Sequence, residues 1–185
     1  KKVVLFSGLG ANERVFDYLD LGTAQTYVVR WIMPLPAESL PAYSSRIIAQ
    51  IPFEKPVLLG VSFGGMVAVE VSKQICHEQV IIISSAPTYR QIPFYFRWPA
   101  RLRIHHWLPG RTGRPNRIIF FLLDIDRPEH QKLMSSILSE TNPVFLKRAV
   151  NMILTWRNED VPSSLISIHG KNDRLLPKTG IRIRS

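Results

Sequence analysis

Strand-like runs that are apolar at almost every position, separated by helical stretches, constrain this chain more than any other feature. They fall at residues 2–6, 26–32, 57–61, 79–85 and 165–168, and helix-spaced apolar residues occupy 13–21, 39–51 and 63–73 between them. A strand with one buried face alternates apolar and polar residues, whereas a run without alternation is buried on both sides, as in a parallel sheet layered between helices. The predicted fold is therefore α/β: a mainly parallel sheet of about five strands with helices on both faces.

The alternation breaks between residues 87 and 160. Pro, Arg and aromatic residues there give way to helix-like runs at 128–139 and 143–156, before the strand at 165–168 restores the pattern. This middle part reads as a helical insertion, 87–160, on a core formed by 1–86 and 161–185. Open α/β sheets place ligands at the carboxyl ends of their strands, so the insertion is expected to act as a lid there. At 185 residues and 45% hydrophobic, the chain is expected to form a single domain. Its longest apolar runs fall well short of the roughly 20 residues that span a bilayer.

A single cysteine, Cys76, excludes an internal disulfide, fits a reducing compartment and is read as a small buried side chain. A cytoplasmic location is the expectation. The chain opens at Lys1 and enters a strand at once, so the lack of a leader carries little weight. The charge is +10, from 24 Lys and Arg against 14 Asp and Glu, and it is concentrated. Arg90, Arg97, Arg101, Arg103, Arg111, Arg114 and Arg117 lie in a stretch without acidic residues, interleaved with Phe94, Tyr95, Phe96, Trp98 and Trp107. Such a segment suits contact with an anionic surface; a solvated helical face with its aromatics turned inward is the plainer alternative. Nucleic acid is not the expected partner. Without a metal-ligand cluster or a phosphate-binding glycine motif, no cofactor or metal is expected.

The sharpest local feature is Gly60-Val-Ser-Phe-Gly64, set between an apolar strand and an apolar helix. A serine on so tight a strand-to-helix turn is held in a strained conformation that lifts its hydroxyl above the sheet, and small residues at Gly60 and Gly64 relieve clashes across the turn. Ser62 is thereby a candidate nucleophile. Acyl transfer builds negative charge on a carbonyl oxygen, which preorganised backbone N–H groups stabilise. Phe63, next after the serine, offers one donor. Leu9, in the Ser7-Gly-Leu-Gly10 loop that ends the first strand, offers the second, with Gly10 as the alternative. Asp173, in the loop after the last strand, is placed to orient a histidine.

With these motifs assembled, the chain resembles the α/β-hydrolase superfamily, in its lid-bearing esterase, lipase and peptidase branch, over nearly its whole length. The resemblance implies Ser62 as nucleophile, Phe63 and Leu9 as oxyanion donors and Asp173 as acid. Ser7 stands where many members carry the histidine of a His-Gly loop. The family's order also places a catalytic histidine after the acid, yet twelve residues follow Asp173 and none is histidine. The chain thus reads as truncated, with the fifth strand left as an open edge.

Other histidines fit the role poorly. His77 lies fifteen positions beyond Ser62, roughly 22 Å along a helix; His169 ends a strand and suits packing; His105, His106 and His130 belong to the insertion. Two functions follow as expectations: a serine hydrolase acting through Ser62 on a carboxylic ester or related acyl substrate, or a non-catalytic ligand-binding protein that keeps the hydrolase fold.

Overall fold

The computed structural model describes residues 1–10, 13–17, 19–92 and 141–169. Strands β1 (Lys2–Phe6), β2 (Gln25–Val28), β3 (Val57–Val61), β4 (Gln79–Ile83) and β5 (Leu165–Ile168) form one sheet in the order β2-β1-β3-β4-β5. Every pairing is parallel, with Phe6 opposite Gly60 and Val61 opposite Ile83. From β1 the chain crosses outward to β2, then returns past β1 to β3. Consecutive crossovers in opposite directions open a crevice at the carboxyl ends of β1 and β3, the position at which such sheets bind ligands.

In β1 and β3 the missing alternation has the predicted cause, burial on both faces. On one face, Val4, Phe6, Leu58, Val80 and Ile82 pack against helices α1 (Leu40–Ile48), α2 (Phe63–Ser72) and α3 (Pro143–Thr155). On the other, Val3, Leu5, Val57 and Leu59 pack with Phe16. All ten residues of α2 are buried, which explains why its sequence is apolar all round rather than on one stripe. Helix α1 begins where Ser39 caps it, the hydroxyl accepting the Ala42 N–H at 3.4 Å. That arrangement satisfies one of the free donors of the first turn and is worth about 1 kcal/mol.

Three expectations need correction. Among the described residues of 13–21 there is no α-helix: Glu13–Phe16 is a single 3-10 turn, and the Leu19 N–H donates to the Phe16 carbonyl at 2.9 Å. The Asp20 carboxylate then accepts the Gly22 N–H at 2.9 Å, a local bond that competes with further winding. The second strand stops at Val28, before the predicted 32. Cys76 is exposed rather than buried, because it sits in the turn joining α2 to β4. The helix-like run at 128–139 lies outside the described residues. Strand β5 is the outermost one described, and Ile166 and Ile168 on it are exposed.

A buried polar cluster fastens α3 to the core. The Glu70 carboxylate on α2 accepts the Trp156 indole N–H and the Lys73 ammonium, both at 2.7 Å. Lys73 also donates to the Asn158 side chain at 2.7 Å. Asn158 in turn donates to the Pro87 carbonyl at 2.7 Å, while its own carbonyl accepts the Tyr89 N–H at 2.9 Å. Both described ends of the 87–160 segment are thereby tied to each other and to the helix that follows Ser62.

Tyr43, fully buried on α1, donates its hydroxyl to the Ile32 carbonyl at 2.9 Å. Burial pushes its pKa well above that of free tyrosine. Folded and unfolded chains both keep this proton below about pH 10, and above it the unfolded chain releases the proton first, so stability falls as pH rises. Tyr43→Phe should cost about 1 kcal/mol at neutral pH and flatten the stability loss above about pH 10, as read by urea denaturation across the alkaline range.

Candidate active site

Ser62 directly follows β3 and directly precedes α2, with φ 53° and ψ −119°. This positive-φ conformation is one that L-residues rarely occupy, at a cost of order 1–3 kcal/mol. Three hydrogen bonds hold it. The Ser62 N–H donates to the Ile83 carbonyl at 2.9 Å, carrying the β3–β4 ladder one residue past the strand. Its carbonyl accepts the Gly65 N–H at 3.0 Å and the Ser85 hydroxyl at 2.6 Å. A methyl group on Gly60 would strike the Gly64 backbone, and one on Gly65 would strike the Ser85 side chain.

Gly64 brings the two halves of the site together. A methyl group there would overlap the carbonyl oxygens of Phe6 and Ser7, so the loop leaving β1 lies directly against the first turn of α2. Leu9 and Gly10 continue that loop; both are half-buried, and Gly10 has φ 75°. The Phe63 side chain is buried under the turn, its ring centroid 5.2 Å from Trp31 and 6.4 Å from Tyr43. This packing anchors Phe63 through its side chain and leaves its backbone N–H at the positive end of α2.

Ser62, Phe63, Gly60, Gly64 and Leu9 are therefore gathered around the crevice between β1 and β3. Asp173 lies outside the described residues, as do His105, His106 and His130. His77 sits in the turn that enters β4, at the opposite edge of the sheet, and contacts the Ile75 carbonyl and the Ser164 hydroxyl, each at 3.2 Å. His169 follows β5 at the same edge as Ser62, but two strand positions away, about 10 Å across the sheet. Its Nε2 lies 3.0 Å from the Ser167 hydroxyl. Among the described residues, none hydrogen-bonds the Ser62 hydroxyl.

Sequence reasoning overlooked Ser85. It is fully buried and holds the strained turn by its carbonyl; the only signal was a small polar residue just past the neighbouring apolar strand. Of the basic segment, the described part includes Arg90, whose guanidinium pairs with Glu159 at 2.8 Å. That contact raises the Arg90 pKa and lowers that of Glu159. The other arginines of that segment lie outside the described residues.

A groove of about 500 Å³ lined by Ser39, Glu70, Lys73, Trp156 and Asn158 lies toward the other end of α2. Its buried Glu70 carboxylate is already paired with the Lys73 ammonium. Among the described residues, no group of three His, Cys, Asp or Glu is arranged to hold a metal ion, and no helix is long and apolar enough to cross a membrane.

Gly64→Ala discriminates packing from propensity. Helix propensity alone would make the alanine stabilising by about 1 kcal/mol; overlap with the fixed Phe6 and Ser7 backbone should instead destabilise by about 1–3 kcal/mol. The midpoint of urea denaturation should fall.

No protein-family model and no curated protein matches the sequence. Solved structures do. A hydrolase from Pseudomonas aeruginosa is similar at a TM-score of 0.66 and 14% identity, over 95% of this chain and 73% of the other. A lipase-esterase related protein from Clostridium acetobutylicum gives 0.67 and 16%, over 95% and 76%. An esterase from Exiguobacterium antarcticum gives 0.64 and 18%, over 96% and 76%. At such identities the likeness speaks for architecture, and together with the parallel sheet and its crevice it establishes that the chain has the α/β-hydrolase fold.

Proposed function

We propose that this chain is a serine hydrolase acting on carboxylic esters, with Ser62 as the nucleophile. The observation that carries the reading is the backbone of Ser62 itself: a serine at φ 53° and ψ −119°, on a strand-to-helix turn at the crevice of a parallel sheet. Strain of this kind persists only where surrounding structure enforces it, and it clusters at reactive sites. The ester-acting neighbours in the structural comparison support the same class, and fold likeness extends no further than class.

In this reading the Ser62 hydroxyl oxygen attacks the acyl carbon while its proton passes to a histidine. The new C–O bond pushes an electron pair onto the carbonyl oxygen, which the N–H groups of Phe63 and Leu9 receive. Collapse of this intermediate breaks the bond to the alcohol, which departs with the proton held by the histidine. Water then repeats the sequence on the acyl-serine, releasing the acid and restoring Ser62. Asp173 orients the histidine, and the part of the 87–160 segment that precedes α3 forms the lid that shapes the acyl pocket. Neither described histidine stands within hydrogen-bond reach of Ser62, so the base comes from outside the described residues. The arginine-rich segment would bring the lid to an anionic surface.

The test is covalent. A fluorophosphonate should add one adduct to the folded protein, mapped by peptide mass to Ser62, and Ser62→Ala should take up none. Turnover of p-nitrophenyl butyrate should fall at least a thousandfold in the same variant. Folded wild-type protein that takes up no adduct would contradict the reading, and tight binding of an acyl ligand without turnover would favour a non-catalytic binding protein instead.

A further inference from the structure

Helix α3 touches three chain segments, the loop leaving β1, the loop leaving β2 and helix α2, each through a polar group. At its start, the Thr141 hydroxyl donates to the Gly10 carbonyl at 3.3 Å. In its middle, Arg148 donates to the Pro34 carbonyl at 2.6 Å, holding the loop that leaves β2. Just past its end, the Trp156 indole donates to Glu70 on α2. Between these points Phe145, Ala149 and Met152 are buried in the core, so the helix is fixed along its length. Its first turn is fixed as well: Asn142 caps it, the side chain accepting the N–H groups of Val144 at 2.8 Å and Phe145 at 3.3 Å. Thr141 is thereby presented to Gly10 from a rigid mount.

Gly10 needs such a mount. It closes the Ser7-Gly-Leu-Gly10 loop at φ 75°, and two glycines in four residues give that stretch more conformational freedom than ordinary residues would. A second fixed point already exists at the other end of the loop, where the Phe6 and Ser7 carbonyls lie against Gly64. A loop pinned at one end still swings; pinned at both, it holds the N–H groups of Leu9 and Gly10 in a fixed orientation.

From this geometry we propose that Thr141 is a positioning residue for the oxyanion loop, with α3 the strut that registers this loop against the nucleophile helix. The assignment of a catalytic purpose rests on the serine-hydrolase reading above; the tether itself does not. Preorganisation is what makes backbone donors effective, and a displacement of about 1 Å can lower a rate about a hundredfold. A loosened loop that still samples the correct position should lose less, about tenfold.

The experiment compares wild-type protein with Thr141→Val, which keeps the shape and removes the donor, and Thr141→Ser, which keeps the donor. Hydrogen–deuterium exchange reads residues 6–10 directly. Exchange there should quicken several-fold in Thr141→Val and return toward wild type in Thr141→Ser, with exchange in β3 and β4 unchanged. Fluorophosphonate kinetics give the functional half: the limiting inactivation rate should fall about tenfold in Thr141→Val with little change in the half-saturating concentration, and Thr141→Ser should recover it. Should Thr141→Val not fold, Thr141→Ala carries the same comparison. Equal exchange at residues 6–10 in all folded variants overturns the tether. Faster exchange with an unchanged inactivation rate overturns its catalytic purpose. Absence of labelling in folded wild-type protein as well strikes the hydrolase reading, leaving the tether to be decided by exchange.

Discussion

The strained backbone of Ser62 is the constraint on which the rest of the structure depends. Nothing in an isolated chain would hold a serine at φ 53° and ψ −119°. Holding it takes the parallel register that places Ile83 beside the turn, the buried Ser85 hydroxyl that grips the serine carbonyl, and three glycines whose missing side chains let backbone and the Ser85 side chain close in. Each is an interaction between chain segments that the sheet has first to align. The cost, of order 1–3 kcal/mol, is a sizeable fraction of the 5–15 kcal/mol by which a domain is stable, so a core that merely folded would relax it. The apolar α2 helix and the two-sided burial of β1 and β3 supply the rigidity.

The same packing brings the second half of the site into place. Because β1 and β3 are neighbours with Phe6 opposite Gly60, the loop leaving β1 emerges beside the turn leaving β3. Gly64 then sets how closely they approach. The candidate oxyanion donors come from backbone rather than side chains, so their geometry follows from sheet register and glycine placement. The site should therefore be sensitive to substitutions that remove no functional group, such as an added methyl at Gly64.

Much of this was legible in the sequence, for a definite reason. Two-sided burial leaves an unbroken apolar run, so Lys2–Phe6 and Val57–Val61 could be read from pattern alone, and Gly60, Ser62 and Gly64 announce their turn by spacing. Patterns report burial and local geometry; they do not report which distant polar groups meet. Ser85, Thr141, Glu70 and Asn158 each act through a bond to a residue far along the chain, and none has a local signature. The reading of residues 13–21 as helix failed because apolar spacing there was compatible with a 3-10 turn that Asp20 cuts short by bonding Gly22. Cys76 was misplaced because a composition-based expectation of burial ignores position, here an exposed turn.

The proposed role of the Ser62 turn and the β1 loop is to cradle an oxyanion together. The most direct measurement is a crystal structure of the protein after reaction with a small organophosphate. Phosphorus should be bonded to the Ser62 Oγ, with a phosphoryl oxygen about 2.7–3.1 Å from the backbone nitrogens of Phe63 and Leu9. An adduct on Ser62 whose phosphoryl oxygen turns away from both nitrogens, or an adduct on another residue, would contradict it.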